Sequence, residues 1–145
     1  MPDETPVLSV PAGRSYDLIL EHFIYSCPDT PAYAYDDTEL IAFRTAEGHM
    51  EKLFRINRIV GFDPRDIEAT YDVPQNIRER ISGYLTVAAN CGILDTTGRY
   101  RFYILNEDGV KPLPHAPRAS ERLKGAHYFT HAELTAGRVI VTPIP

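Results

Sequence analysis

The chain has 145 residues, 43% of them hydrophobic and 24% charged, with a formal net charge of −5. A chain of this length buries a core without disulfides or metals, and the composition excludes disorder over most of it. No apolar run approaches the ~20 residues of a membrane span, and the two cysteines, Cys27 and Cys91, make no CxxC or metal spacing.

Charge is unevenly spread. Residues 1–40 hold eight acids against Arg14, whereas residues 74–124 hold eight bases against five acids. Such polarity marks either an anionic partner for one face or two halves that balance on folding. The acidic, Pro-broken start MPDETPVLSVPAG is not a secretory signal, and two reduced thiols fit a cytoplasmic protein.

In chain order, residues 1–14 carry three prolines and a glycine and are expected to form a loosely ordered tail, with one globular domain over 15–145. Residues 15–27, SYDLILEHFIYSC, are apolar on any template. Their length fits a helix capped by Ser15, but Ile, Phe and Tyr favour a strand, which is the preferred assignment. Glu39 to Phe62 is the clearest β signal: an arm to Thr45, a turn at Ala46–His49 with Gly48 free to take positive φ, and a second arm from Met50 to Val60. Strict alternation would put Met50, Phe54, Ile56 and Val60 on one face and Glu51, Leu53, Arg55, Asn57 and Ile59 on the other. Its imperfection implies a bulge or burial on both faces.

The major helix is expected over about 74–91. Asp72 and Gln75 supply a capping box, Ile77, Ile81, Leu85 and Ala88 form one stripe, and Gly92 stops it. A turn at Asp95–Gly98 leads to a strand over 99–105, RYRFYIL, and residues 110–124 are irregular. An extended piece at 126–129 precedes a T-x-x-E box at Thr130–Glu133, which opens a short helix over about 131–136, and a last strand covers 138–142. The fold class is therefore α+β: a small, strongly bent mixed or antiparallel sheet, or a partly open β-barrel, with these two helices.

Basic and aromatic residues share several of these elements. Lys52, Arg55 and Arg58 stand on the hairpin, and Arg99 and Arg101 interleave with Tyr100, Phe102 and Tyr103. Arg118, Arg122 and Lys124 precede Tyr128 and Phe129. Cations contact phosphates and rings stack on unpaired bases, which points to a recognition module for nucleic acid. A metal-dependent nuclease-like hydrolase is the second reading, with carboxylates at Asp36, Asp37 and Glu39. The adjacent pair Glu51-Lys52 would point to opposite strand faces, and the chain has no E-x-K. A third reading is a protein-interaction subunit or homodimer that uses a strand edge or aromatic surface. His127 and His131 are spaced like a zinc pair, but the T-x-x-E box puts them on different elements. No nucleotide-phosphate loop, metal site or cofactor is expected.

The hairpin pattern I-A-F-x-x-x-x-G-x-M-E-x-L-F-x-I over 41–56, with a helix and a late Y-F strand, resembles PUA-like small β-barrel domains, including the EVE and ASCH branches. The resemblance covers roughly 39–62 and 99–142. It implies a barrel that receives a base or a nucleic-acid end. Phe43, Phe54, Tyr100 and Tyr103 would then stack, and Arg55 and Arg101 would contact phosphates.

Overall fold

The computed structural model of the chain describes residues 4–33, 35–94 and 98–145. The fold is α+β and mostly antiparallel, with a major helix and a short C-terminal one where the sequence predicts them. The backbone divides into two compact units. One comprises Met1–Tyr16, Tyr35–Ile56 and Asn106–Pro145, the other Asp17–Ala34 and Asn57–Leu105. Among the described residues no helix is long and apolar enough to cross a membrane. The turn expected at Asp95–Gly98 falls, for residues 95–97, outside the described residues.

In the first unit, β1 (Pro6–Pro11) pairs in parallel with β3 (Leu40–Arg44) and antiparallel with β8 (His127–Thr130). The expected tail is thus a central strand. Val7, Leu8, Ser9 and Val10 are buried, and a four-residue run buried on both faces shows no alternation for a pattern reading to detect. Its prolines stand at the two ends, where a missing N–H costs the ladder least. The long strand β4 (Met50–Phe62) pairs with β3 on the side away from β1. The order β4-β3-β1-β8 does not close into a barrel. β6 (Lys111–Pro112) pairs with β4, and β7 (Arg118–Ala119) with β9 (Ile140–Val141).

The β3–β4 hairpin forms as expected, with the bulge its pattern implied. Between the pairs Ala42↔Leu53 and Arg44↔Met50, β4 advances three residues while β3 advances two. The extra residue breaks strict alternation, so that Met50 and Leu53, three apart, join one core, while Phe54, in regular register with Ile41, is buried on the other face. Val7, Leu40, Ala42, Met50, Leu53, Phe129 and Leu134 form this unit's core.

Helix α3 (His131–Thr135) starts at Thr130, whose Oγ1 accepts from the Glu133 N–H at 3.1 Å. The reciprocal half of the expected box is not made. Instead the Glu133 carboxylate accepts from the Thr142 N–H at 2.8 Å and from Arg138 at 3.2 Å, tying the segment beyond β9 to the helix.

In the second unit the apolar stretch is divided between two structures. Helix α1 takes Tyr16–His22 and strand β2 takes Ile24–Pro28, so the strand preferred for 15–27 is corrected over its first half. β2 pairs antiparallel with β5 (Tyr100–Leu105). Phe23, at φ 56°, reverses the chain between α1 and β2. The carbonyls left open at the end of α1 are satisfied by Arg80. Its Nη2 donates to His22 at 3.2 Å, to Phe23 at 2.9 Å and to Leu105 of β5 at 2.9 Å. Ser15 donates to the Ala12 carbonyl and does not cap α1.

Helix α2 (Gln75–Asn90) buries Ile77, Ile81, Tyr84 and Ala88 against Phe62, Phe102 and Ile104. Its N-terminus makes no side-chain cap bond; Pro74 occupies the cap position, and the capping box expected of Asp72 and Gln75 does not form. Gly92 adopts φ 73° beyond the helix end, as expected.

Candidate anion-binding cleft

Five consecutive residues of β3 are buried, and the last of them is Arg44, only 3% exposed. The strand ends at the hairpin turn, and its parallel partner β1 brings Ser9 alongside. Nη1 of Arg44 donates to the Ser9 carbonyl at 3.0 Å and to its Oγ at 2.8 Å, and Nη2 donates to the Gly125 carbonyl. Ser9 Oγ in turn donates to the Met50 sulfur at 3.3 Å. A guanidinium is expensive to bury, and these oxygens offset its lost hydration.

The turn over 45–49 forms one wall. The Thr45 N–H donates to the His49 carbonyl at 2.9 Å, and Gly48 supplies the positive φ of 89° that closes the turn. A second wall comes from Arg118 and Ala119 of β7. The Met50 N–H donates to the Pro117 carbonyl and the Arg118 N–H to the Val139 carbonyl, both at 2.9 Å. Before Pro117 the chain takes φ 62° at His115 and φ 43° at Ala116, a left-handed path unfavourable to non-glycine residues. His49 Nδ1 lies 3.0 Å from the Ala116 carbonyl; because that oxygen accepts, the ring nitrogen donates. The third wall is the loop after β7, tied to the turn by Arg122, whose Nη2 donates to the Ala46 carbonyl at 3.1 Å.

Together these segments enclose a cleft of about 270 Å³ whose charged lining is Arg44, Arg118 and Arg122 with Glu47 and Glu121. Arg44 is buried, whereas the other four are exposed. Among the described residues the lining is therefore positive by one charge, and it is most desolvated at Arg44. Guanidinium groups in such a setting bind phosphate or carboxylate oxygens through paired, charge-assisted hydrogen bonds.

Of the cations singled out from sequence, Arg118 and Arg122 line this cleft. Lys124 follows on the same loop, exposed, its carbonyl 3.0 Å from His127 Nε2. On β4, Lys52 is half-buried and Arg55 exposed, the latter 3.5 Å from Glu39. Arg58, Arg99 and Arg101 belong to the second unit. Arg58 is exposed and donates to Asn57 at 3.4 Å. Arg99 and Arg101 both face Asp29, at 3.6 and 3.2 Å, and Arg99 also donates to the Gly61 carbonyl at 2.9 Å.

The four stacking candidates require correction. Phe43, Phe54, Tyr100 and Tyr103 are each at most 2% exposed. Phe43 and Phe54 meet edge-on at 5.4 Å, and Tyr103 faces Tyr25 at 5.8 Å. Rings enclosed on both faces belong to the cores and cannot stack on a base.

Asp36, Asp37 and Glu39 are exposed. Among the described residues no three His, Cys, Asp or Glu side chains gather to hold a metal ion. His127 and His131 fall on β8 and α3, as the capping box implied. Arg44 went unrecognised in the sequence, where a cation between an apolar run and a turn resembles a solvated strand end. The available signal was the uninterrupted burial implied by L-I-A-F, which carries the next residue inward.

No protein-family model matches the chain, and no curated protein matches its sequence. Among solved structures it is similar to the ASCH protein of Zymomonas mobilis, at 11% identity and TM-score 0.45, covering 77% of this chain and 73% of that one. Two single-substitution variants of that protein match with TM-scores of 0.49 and 0.43 at 10% and 11% identity. They cover 87% and 78% of this chain, and 91% and 74% of theirs.

Proposed function

We propose that this protein is a recognition module for nucleic acid and that the cleft at the β3–β4 turn contacts the phosphate groups. The observation that supports this reading is the convergence on one cavity of Arg44, from the end of β3, with Arg118 and Arg122, from β7 and the loop after it. Arg122 ties its loop to the hairpin turn while keeping an exposed guanidinium. Lys124 extends the basic character of that loop. With the four stacking candidates in the cores, recognition rests on charge and hydrogen bonding, and binding is accordingly sensitive to salt.

Titration of a labelled single-stranded oligonucleotide at several salt concentrations tests the proposal. Binding is expected to weaken steeply as salt rises. The double variant Arg118→Ala, Arg122→Ala is expected to reduce the slope of log K against log salt by roughly 1.4, about 0.7 for each single-strand phosphate that is no longer neutralised. Absence of salt-dependent binding to any oligonucleotide would overturn it.

A further inference from the structure

We infer that the cleft selects a phosphomonoester at the end of a strand over the phosphodiesters within it, a specificity that rests on the nucleic-acid reading above. Charge placement carries the argument. Arg44 is pinned by Ser9 and Gly125 and is the buried cation of the site, while Arg118 and Arg122 are exposed. Each of these two donates one hydrogen bond to a backbone carbonyl, Arg118 to Ala119 at 3.5 Å and Arg122 to Ala46 at 3.1 Å. Two exposed guanidiniums beside the buried charge of Arg44 suit a head group rich in terminal oxygens and negative charge. A terminal monoester has three such oxygens and about −1.5 to −2 charges near neutral pH; an internal diester has two oxygens and one charge.

The carboxylates argue in the same direction. Glu47 and Glu121 are exposed and line the same cleft. A strand running through would bring neighbouring phosphates, one per nucleotide, against these like charges. A strand that ends in the cleft places a single anionic group there and leaves its next phosphate outside. Size agrees with charge. At about 270 Å³ the cavity is below the ~300–1,000 Å³ of common small-molecule sites, room for a terminal group rather than a folded length of strand.

The chemistry is shared by 5′ and 3′ termini and by free monoesters, and the experiment separates them. The full-length chain is titrated with a short oligonucleotide carrying a 5′-phosphate, a 3′-phosphate or only hydroxyl ends, with the label on the opposite end. Inorganic phosphate and a nucleoside monophosphate serve as competitors. One phosphorylated form is expected to bind about tenfold tighter than the hydroxyl form, the effect of one charge-assisted contact pair. Arg122→Gln, an exposed substitution, is expected to bring the two forms together by weakening the phosphorylated form more than the hydroxyl form. Arg44→Lys provides a second variant that keeps the buried charge. Equal binding of all three oligonucleotides would overturn terminus selection and leave the nucleic-acid reading standing. No binding of any oligonucleotide would overturn both. Competition by inorganic phosphate at the same concentration as the phosphorylated strand would overturn the strand-end assignment in favour of a free-anion site.

Discussion

Arg44 and Ser9 sit on paired parallel strands and are joined twice, through the Ser9 carbonyl at 3.0 Å and its hydroxyl at 2.8 Å. Both residues are buried, Ser9 completely. The serine thus serves the cation with two acceptors from one residue, and its hydroxyl hydrogen reaches Met50 on the neighbouring hairpin arm. These neutral oxygens orient the guanidinium.

Removing this pairing has a thermodynamic signature. Arg44→Met is expected to lower unfolding stability by about 2–3 kcal/mol, since bonds to a charged donor disappear and buried oxygens are left without it. Ser9→Ala is expected to cost about 1 kcal/mol. In a double-mutant cycle the two should couple by at least about 1 kcal/mol. Urea denaturation of the four proteins measures this. A destabilisation of under about 0.5 kcal/mol for Arg44→Met would show that the bonds merely offset the desolvation of the charge.

His49 acts on the cleft at one remove. Its ring holds the carbonyl of Ala116 at 3.0 Å, the second of two consecutive residues in left-handed conformation and two positions before Arg118. Strain of ~1–3 kcal/mol per such residue persists only while its surroundings enforce it. His49→Ala is expected to release the loop and weaken oligonucleotide binding by roughly three- to tenfold, about 0.7–1.4 kcal/mol. In an Arg118→Ala background the same change should have almost no effect. An undiminished effect there, in fluorescence anisotropy titrations, would show that His49 does not work through Arg118.

Burial in the second unit sets an alkaline limit on stability. Cys27 is pushed up from 9.0 to about 12, first by desolvation, with Asp29 raising it further and Arg101 opposing. Tyr84 is pushed up from 10.0 to about 12, again mainly by desolvation, opposed by its 2.6 Å hydrogen bond with Ser26. Because the folded chain holds these protons more tightly than the unfolded one, their contribution is complete below the unfolded values. It is lost as pH rises through about 9 to 12 for the thiol and about 10 to 12 for the phenol. The urea midpoint is expected to fall from about pH 9 upward, and Cys27→Ala should remove the part of that fall that starts first. A midpoint flat to about pH 11 would rule out the coupling.

Much of the fold was legible because its elements announce themselves locally. Gly48 and Gly92 mark a turn and a helix stop, Ile77 and Ile81 keep helical spacing, and Thr130 sits three residues before Glu133. The parts that were not legible depend on distant partners. β1 is a strand because residues 40–44 and 127–130 pair with it on either side, and nothing within P-V-L-S-V-P reveals those neighbours. The division of 15–27 turns on Phe23, whose positive φ accompanies the donors that Arg80 brings from more than fifty residues away. The same holds at the cleft. Arg118 and Arg122 were visible as loop cations, whereas Arg44 becomes part of a site only once Ser9 is beside it. The rings of Phe43, Phe54, Tyr100 and Tyr103 invited a stacking role because sequence does not separate an aromatic residue that packs inward from one that faces a ligand.

The place of β1 has a consequence for how the chain is made. Synthesis proceeds from the N-terminus, so this strand emerges long before its second neighbour, β8, which starts at residue 127. Every residue of the unit formed by 17–34 and 57–105 leaves the ribosome before that partner exists. The unit can complete its own pairing while Val7, Leu8 and Val10 still wait, apolar and open on one edge. Pairings that span so much sequence form slowly, and an open apolar edge invites pairing with other chains. The nascent protein is therefore most prone to aggregate after residue 105 has emerged and before residues 127–130 follow.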